Sequence, residues 1–202
     1  MSPSAKSSIT LKGSVEIVTE FLEFGINSIL YQRGIYPSDT FTSVKKYGLP
    51  LWMTTDSEVN NFNKTILHQL RSFILDKCVH KLTVVIVDVK TKETIEKWDF
   101  RIELTTSDEI VTGEKADLNE IQRNIRDVIR QITASVTFLP FIDKLCYYDI
   151  LLYTDKNTCL PSEKWSDGKP PIIAREEKVQ LRGFTTGIHE IDTIVAYKKD
   201  VD

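Results

Sequence analysis

Apolar positions recur along this chain with two periods, one near 3.6 residues and one of two. Val15, Val18, Leu22, Ile26 and Ile29 fall on one helical face, and Ile17, Phe21, Phe24 and Leu30 widen that face beyond an ordinary amphipathic stripe. The spacing predicts a largely buried helix from about Ser14 to Arg33, stopped by Gly34 and then Pro37. Ahead of it, Ser2 to Ser8 is small and polar and reads as a loose N-terminal arm, residues 1–10, leading into Ile9 and Leu11.

After a turn-rich passage, Thr55 and Glu58 have the spacing of a capping box, and Val59, Phe62, Ile66, Leu70 and Phe73 carry a second helix to about Lys77. Leu82 to Val89 is β-branched and nearly all apolar, as suits a central strand covered on both faces. Beyond a turn at Lys90 to Glu93, Trp98, Phe100, Ile102 and Leu104 alternate with Asp99, Arg101 and Glu103, the second strand of a hairpin with one solvated face. Thr105 to Ala116 is a polar loop. Asp117 can cap a third helix whose core stripe is Ile121, Ile125, Val128, Ile132 and Val136, ended by Pro140. An aromatic strand, Cys146 to Thr154, comes next; Leu160 to Pro171 is irregular, and strand-like runs at Val179 to Thr186 and Ile191 to Tyr197 precede a charged tail. With no internal repeat and no composition break, residues 1–202 form a single α+β domain in which helices and antiparallel strands share one core.

Charge removes several classes of function. With 26 Lys and Arg against 29 Asp and Glu, the net charge of −3 provides no basic field, so neither nucleic acid nor an anionic membrane surface is expected as a partner. No apolar run approaches the length of a membrane helix. Cys78, Cys146 and Cys159 are odd in number and lack CxxC spacing, which fits reduced thiols inside a cell. Cys78 and His80 fall short of the four ligands of a structural zinc site, and His68, His80 and His189 do not cluster in sequence. Neither a GxSxG elbow nor a phosphate-cradling glycine loop occurs, so no metal, no cofactor and no catalytic residue is expected, and an enzyme would need an unsignalled site. Arg123, Arg126 and Arg130, with Gln122 and Gln131, read from pattern alone as a solvated helix face.

Longer strings say more. FGINSILYQRGIYP at Phe24 to Pro37, VIRQITASVTFLP at Val128 to Pro140, WDF at Trp98, LLYTDK at Leu151, EKW at Glu163 and FTTGIHEIDTIVAYK at Phe184 to Lys198 resemble the HORMA-domain family, in its spindle-checkpoint branch, over about Ile9 to Lys198. The resemblance implies three helices on an antiparallel sheet and a mobile C-terminal segment, the safety belt, here about residues 160–202. It also implies two folded states, open and closed, that differ in which sheet edge the last strand occupies; the closed state encircles a partner's peptide.

By position, the resemblance places peptide binding on Tyr147, Asp149, Leu151 and Tyr153 of the receiving strand and on Trp165 of the belt. It places self-association between open and closed copies on Arg130, Gln131 and Phe138, with Arg33 and Glu96 near by, and the switch on Leu11, Gly183, Gly187 and His189. The glycines weaken the strand propensity of the segment that must detach, and the histidine reads by itself as structural. The implied function is a non-enzymatic checkpoint switch of nucleus, kinetochore and cytoplasm. It captures peptide segments of the activator of the anaphase-promoting ubiquitin ligase and of a kinetochore coiled-coil scaffold, acts with a kinase-like checkpoint protein, and is recycled by an ATP-driven remodeller and its adaptor. The alternative is a HORMA adaptor of DNA repair or of the meiotic chromosome axis.

Overall fold

The structure, a computed structural model, describes residues 9–105, 117–155, 158 and 165–199. The arm up to Ser8, most of the polar loop before the third helix, Glu163 and Lys164 of the belt, and the last three residues lie outside the described residues. Three helices, α1 (Leu11–Gln32), α2 (Ser57–Leu75) and α3 (Leu118–Ala134), pack on one face of a six-stranded antiparallel sheet. Its strands are β3 (Val79–Asp88), β4 (Thr94–Leu104), β5 (Cys146–Thr154), β6 (Glu176–Gln180), the two-residue β7 (Phe184–Thr185) and β8 (His189–Lys198). A separate hairpin joins β1 (Phe41–Lys46) to β2 (Leu49–Thr54).

The breadth of α1's apolar face is explained by its position between α2 and α3, against the sheet. Phe21, Leu22, Ile26, Ile29 and Leu30 are fully buried, and its buried polar groups are satisfied: Thr19 donates to the Val15 carbonyl, and Asn27 accepts the Thr54 amide at 2.9 Å while donating to the Glu23 carbonyl. Thr10 caps the helix, so it begins three residues earlier than expected and absorbs Leu11 from the arm. The cap of α2 is Asp56, not Thr55; its carboxylate takes the amides of both Glu58 and Val59, which a shorter hydroxyl one residue earlier does not reach.

In the sheet the order is β5-β3-β4-β8-β6, with β7 also pairing with β8. β3 is central and buried on both faces, as its composition predicts: Leu82, Val84 and Ile86 face the helices, and Thr83, Val85 and Val87 are buried on the opposite side. The turn-rich passage before Thr55 is largely the β1–β2 hairpin, turned at Tyr47 and Gly48, both with positive φ. The run from Val179 to Thr186 is broken rather than continuous, because Leu181 to Gly183 leave the ladder between β6 and β7. Val136, counted in the core stripe of α3, is 44% exposed, since the helix has by then tightened into a 3₁₀ turn that rotates it outward. No helix among the described residues is long and apolar enough to cross a membrane.

Candidate functional site

The two sheet edges are used differently. β8 runs antiparallel to β4 from Glu96↔Tyr197 to Leu104↔His189, and its alternation puts His189, Ile191, Thr193 and Val195 on the buried helix side. The C-terminal strand thus lies on the side of β4 remote from β5, with β6 and β7 pairing along its outer side. Among the described residues β5 pairs with β3 alone, from Asp88↔Cys146 to Val79↔Thr154, and its other edge carries no strand. An unoccupied edge offers main-chain donors and acceptors to an extended chain. Asp149 puts a charge on it, and its carboxylate accepts the Ile150 amide at 2.8 Å.

That edge is fenced by the segment that follows it. Trp165 lies on the helix side, where its indole N–H donates to Gln69 Oε1 at 2.6 Å and its ring meets Phe73 of α2 edge-on with 6.2 Å between centroids. Three residues later Gly168 is on the opposite side of the sheet, where a Cβ would stand 3.4 Å from Leu151 Cδ2. The chain therefore crosses from one face to the other around β5 and leaves a cleft of about 340 Å³ between Ile150–Thr154 and Trp165–Pro170. It then runs through buried Ile173 to β6, where Glu176 is held by Lys97 of β4 and, at 2.9 Å, by Lys178. Burial raises the Glu176 carboxyl, but the two ammonium groups outweigh it and hold the pKa below the ordinary carboxylate value.

Of the residues expected to bind peptide, the structure brings Leu151, Tyr153 and Trp165 together in the cleft. Tyr147 and Asp149 share a strand face with Leu151 and Tyr153 but lie further along it, with Tyr147 beneath the Lys92 ammonium at 5.4 Å. Four contributors carry no local signal in the sequence: Gln69 and Phe73, which hold Trp165; Lys81, whose ammonium is 3.8 Å from the Tyr153 ring centroid; and Asn63, which accepts from the Tyr148 hydroxyl at 2.8 Å. Only the tertiary fold sets α2 and β3 beside β5.

On α3, Arg130 is exposed and Phe138, just beyond the helix, is 44% exposed. Gln131 is already engaged: its Oε1 accepts the Arg182 amide at 2.6 Å, and Asp127 meets the Arg182 guanidinium at 3.3 Å. The helix face is therefore bonded to the segment between β6 and β7 as well as to solvent. Arg33 and Glu96 are not surface groups. They form a buried ion pair, 2.9 Å from Nη2 to Oε2, with Arg33 Nε reaching both oxygens and the Trp98 indole adding a third donor at 2.8 Å. Burial pushes the Glu96 carboxyl up, against the pull of Arg33 and Trp98. Arg33 also donates to the Pro140 carbonyl at 2.6 Å, so the pair bears on the α3 surface by holding the chain around Phe138. Phe141 and Leu145 in that chain are 88% and 75% exposed, an apolar extension the sequence reading did not single out.

The switch candidates separate. Leu11 is half-buried at the first turn of α1. Gly187 adopts φ +84 in the β7–β8 turn, a conformation open to glycine at no steric cost. Gly183 has no room for a side chain: a Cβ there would fall 2.4 Å from the Ile191 carbonyl oxygen. His189 is 1% exposed and bonded to Ser14, a structural placement as its strand position suggested. No group of three or more metal-ligating side chains is present among the described residues.

Known proteins share this arrangement. The family model for the HORMA domain matches residues 14–189. The mitotic spindle assembly checkpoint protein MAD2A of Homo sapiens is 50% identical over 201 residues, covering 98% of this chain and 97% of that protein. Among solved structures, a chain of the mitotic checkpoint complex superposes with a TM-score of 0.84 at 40% identity, over 93% of this chain and 99% of that one. Caenorhabditis elegans HTP-2 bound to the HIM-3 closure motif superposes with a TM-score of 0.79 at 11% identity, over 94% and 92%, a likeness of fold alone. Three helices on a sheet whose β5 edge carries no strand among the described residues, a C-terminal strand paired with β4, and these matches over nearly the whole length place the chain in the HORMA-domain family, among its relatives of the mitotic spindle checkpoint.

Proposed function

We propose that this protein is a spindle-checkpoint switch that captures a peptide along the free edge of β5, beneath the segment from Trp165 to Pro170. The observation that carries the reading is the placement of β8 on β4, which leaves the β5 edge unpaired among the described residues and closes the chain around it. This is the arrangement expected of the closed state. An extended peptide gains main-chain bonds to β5 and side-chain contacts with Leu151, Tyr153 and Trp165. Release requires the encircling chain to open, so affinity is controlled chiefly by the off-rate. The partners we propose are peptides of the anaphase-promoting-ligase activator and of a kinetochore coiled-coil scaffold, with a kinase-like checkpoint protein joining the captured activator, the exposed α3 face meeting a second copy, and an ATP-driven remodeller with its adaptor resetting the switch. The work is done by binding at nucleus, kinetochore and cytoplasm, without catalysis.

Amide NMR spectra with and without a synthetic peptide of the ligase activator test this. Large changes that develop over hours across residues 165–199 and the start of α1 are expected. Changes confined to β5 on fast exchange would reduce the site to an ordinary edge-strand binder, and preference for a repair-polymerase peptide would replace the checkpoint reading. Deleting Thr193 to Asp202 removes the outer half of β8 and is expected to abolish slow capture.

A further inference from the structure

A buried side-chain relay ties the first helix to the C-terminal strand. Ser14 Oγ lies 2.6 Å from Thr186 Oγ1 and 2.7 Å from His189 Nδ1, and the three residues are 0%, 1% and 1% exposed. Counting lone pairs gives its direction. Thr186 Oγ1 accepts the amides of Ile188 at 3.2 Å and His189 at 2.9 Å, which occupies both of its lone pairs. Its one proton then goes to Ser14 Oγ, nearer than the His189 carbonyl at 3.3 Å. Ser14 in turn donates to His189 Nδ1. An imidazole that accepts at Nδ1 is neutral and carries its hydrogen on Nε2, an atom that is buried with no partner among the described residues.

Around the ring, α1 presents Ser14, the β7–β8 turn presents Thr186, β4 places Leu104 opposite, and Lys77 after α2 contributes positive charge. Burial first, and Lys77 second, push the imidazole below its ordinary 6.5. A proton on Nδ1 would force Ser14 to accept, and would turn the serine hydrogen toward a hydroxyl whose lone pairs are taken.

The ladder between β8 and β4 cannot by itself choose a place for the C-terminal strand, because backbone hydrogen bonds form equally with any free edge; the buried alternation of Ile191 and Val195 fixes which face turns to the helices, but a slip of two residues keeps that face. The relay can choose, since it needs His189 on the helix side, one place along β4, beside one serine of α1. We propose that Ser14 is the positioning residue that selects the edge and register of the C-terminal strand, fastening β8 on β4 through Thr186 and His189 and so holding the β5 edge open for peptide. This rests on the capture reading above. Nothing in the strand propensity of β8 does the same work.

Nitrogen-15 spectra of the histidine rings and the fraction of molecules with β8 on β4, read from slowly exchanging amide peaks, test the relay without any peptide. Expected are the Nε2–H tautomer at His189, kept neutral to a lower pH than an ordinary imidazole because burial and Lys77 disfavour its charged form, and in Ser14→Ala a roughly tenfold fall in the ratio of this arrangement to its alternative. In His189→Asn, whose amide oxygen stands where Nδ1 stands, the ratio is expected to stay within about threefold of the parent. An Nδ1–H tautomer in the parent, or a Ser14→Ala ratio within twofold of it, would overturn the proposal. Release of a bound activator peptide is expected to be about tenfold faster from Ser14→Ala. A parent that never traps peptide slowly refutes capture, while the tautomer and the ratio still decide the relay.

Discussion

Replacing Glu96 by Gln isolates the buried ion pair at the base of the α3 surface. The side chains of Arg33 and Glu96 are 4% and 2% exposed, so neither charge is screened by water. Glutamine preserves shape and an oxygen for the Trp98 indole but strands the guanidinium, which keeps the Pro140 carbonyl and one neutral amide oxygen. Removing one partner of a buried pair costs about 3–5 kcal/mol. Because two of the donors of Arg33 stay satisfied, the lower end applies, about 3 kcal/mol. For a chain of this length each kcal/mol moves the melting temperature by about 2–4 °C, which gives a fall of roughly 6–12 °C by calorimetry. Arg33→Met with Glu96→Leu removes both charges and is expected to recover much of that loss, with a coupling of about 2 kcal/mol or more in the cycle. Amide shifts across Phe138 to Leu145 should follow Glu96→Gln, since Arg33 holds Pro140. A variant melting within about 2 °C of the parent, or additive single substitutions, would show that the pair is not the anchor the geometry makes it.

Gly183→Ala puts a Cβ against the Ile191 carbonyl and Asp192 and should cost the closed arrangement about 1–3 kcal/mol, read as faster peptide release; unchanged release would refute the close approach. Arg130→Glu is expected to be monomeric by sedimentation yet to capture peptide, whereas Gln131→Ala should also loosen the segment at Arg182; equal dimerisation of Arg130→Glu and parent would move the interface elsewhere. Trp165→Ala, losing Gln69 and Phe73, should speed peptide release about tenfold while the melting temperature changes little, and an unaltered release rate would remove Trp165 from the clasp. Because the folded state holds His189 below its ordinary pKa, the unfolded chain binds more protons, so stability is expected to decline as pH drops below about 6.5; a His189→Asn variant should lose that part of the slope.

The helices were legible because their apolar spacing is local. α3 reads almost correctly from Asp117 to Ile132, since one capping carboxylate and one stripe suffice. The β1–β2 hairpin was not legible: strand Phe41–Lys46 shows no clean alternation, its turn residues include a left-handed Tyr47, and what covers it is α1, far away in sequence. The same holds for the cap of α2, where Thr55 and Asp56 compete and the backbone geometry alone decides.

For the site, the sequence by itself determined an aromatic strand at Cys146–Thr154 and an irregular segment after it, while the roles of receiving strand and belt are what the resemblance to the family implies for them. Tertiary structure alone decided the rest. That β8 lies on β4 depends on contacts made at long range, Ser14 to His189 and Phe21 to Phe184 among them, and backbone pairing is indifferent to them. That Trp165 and Gly168 stand on opposite sides of β5, and that Arg33 and Glu96 are interior groups, follows from which elements become neighbours once α2 and β3 are in place. Periodicity along a chain specifies which face of an element is apolar; it contains no term for which of two equivalent sheet edges a late strand will take, and on that choice the free edge depends.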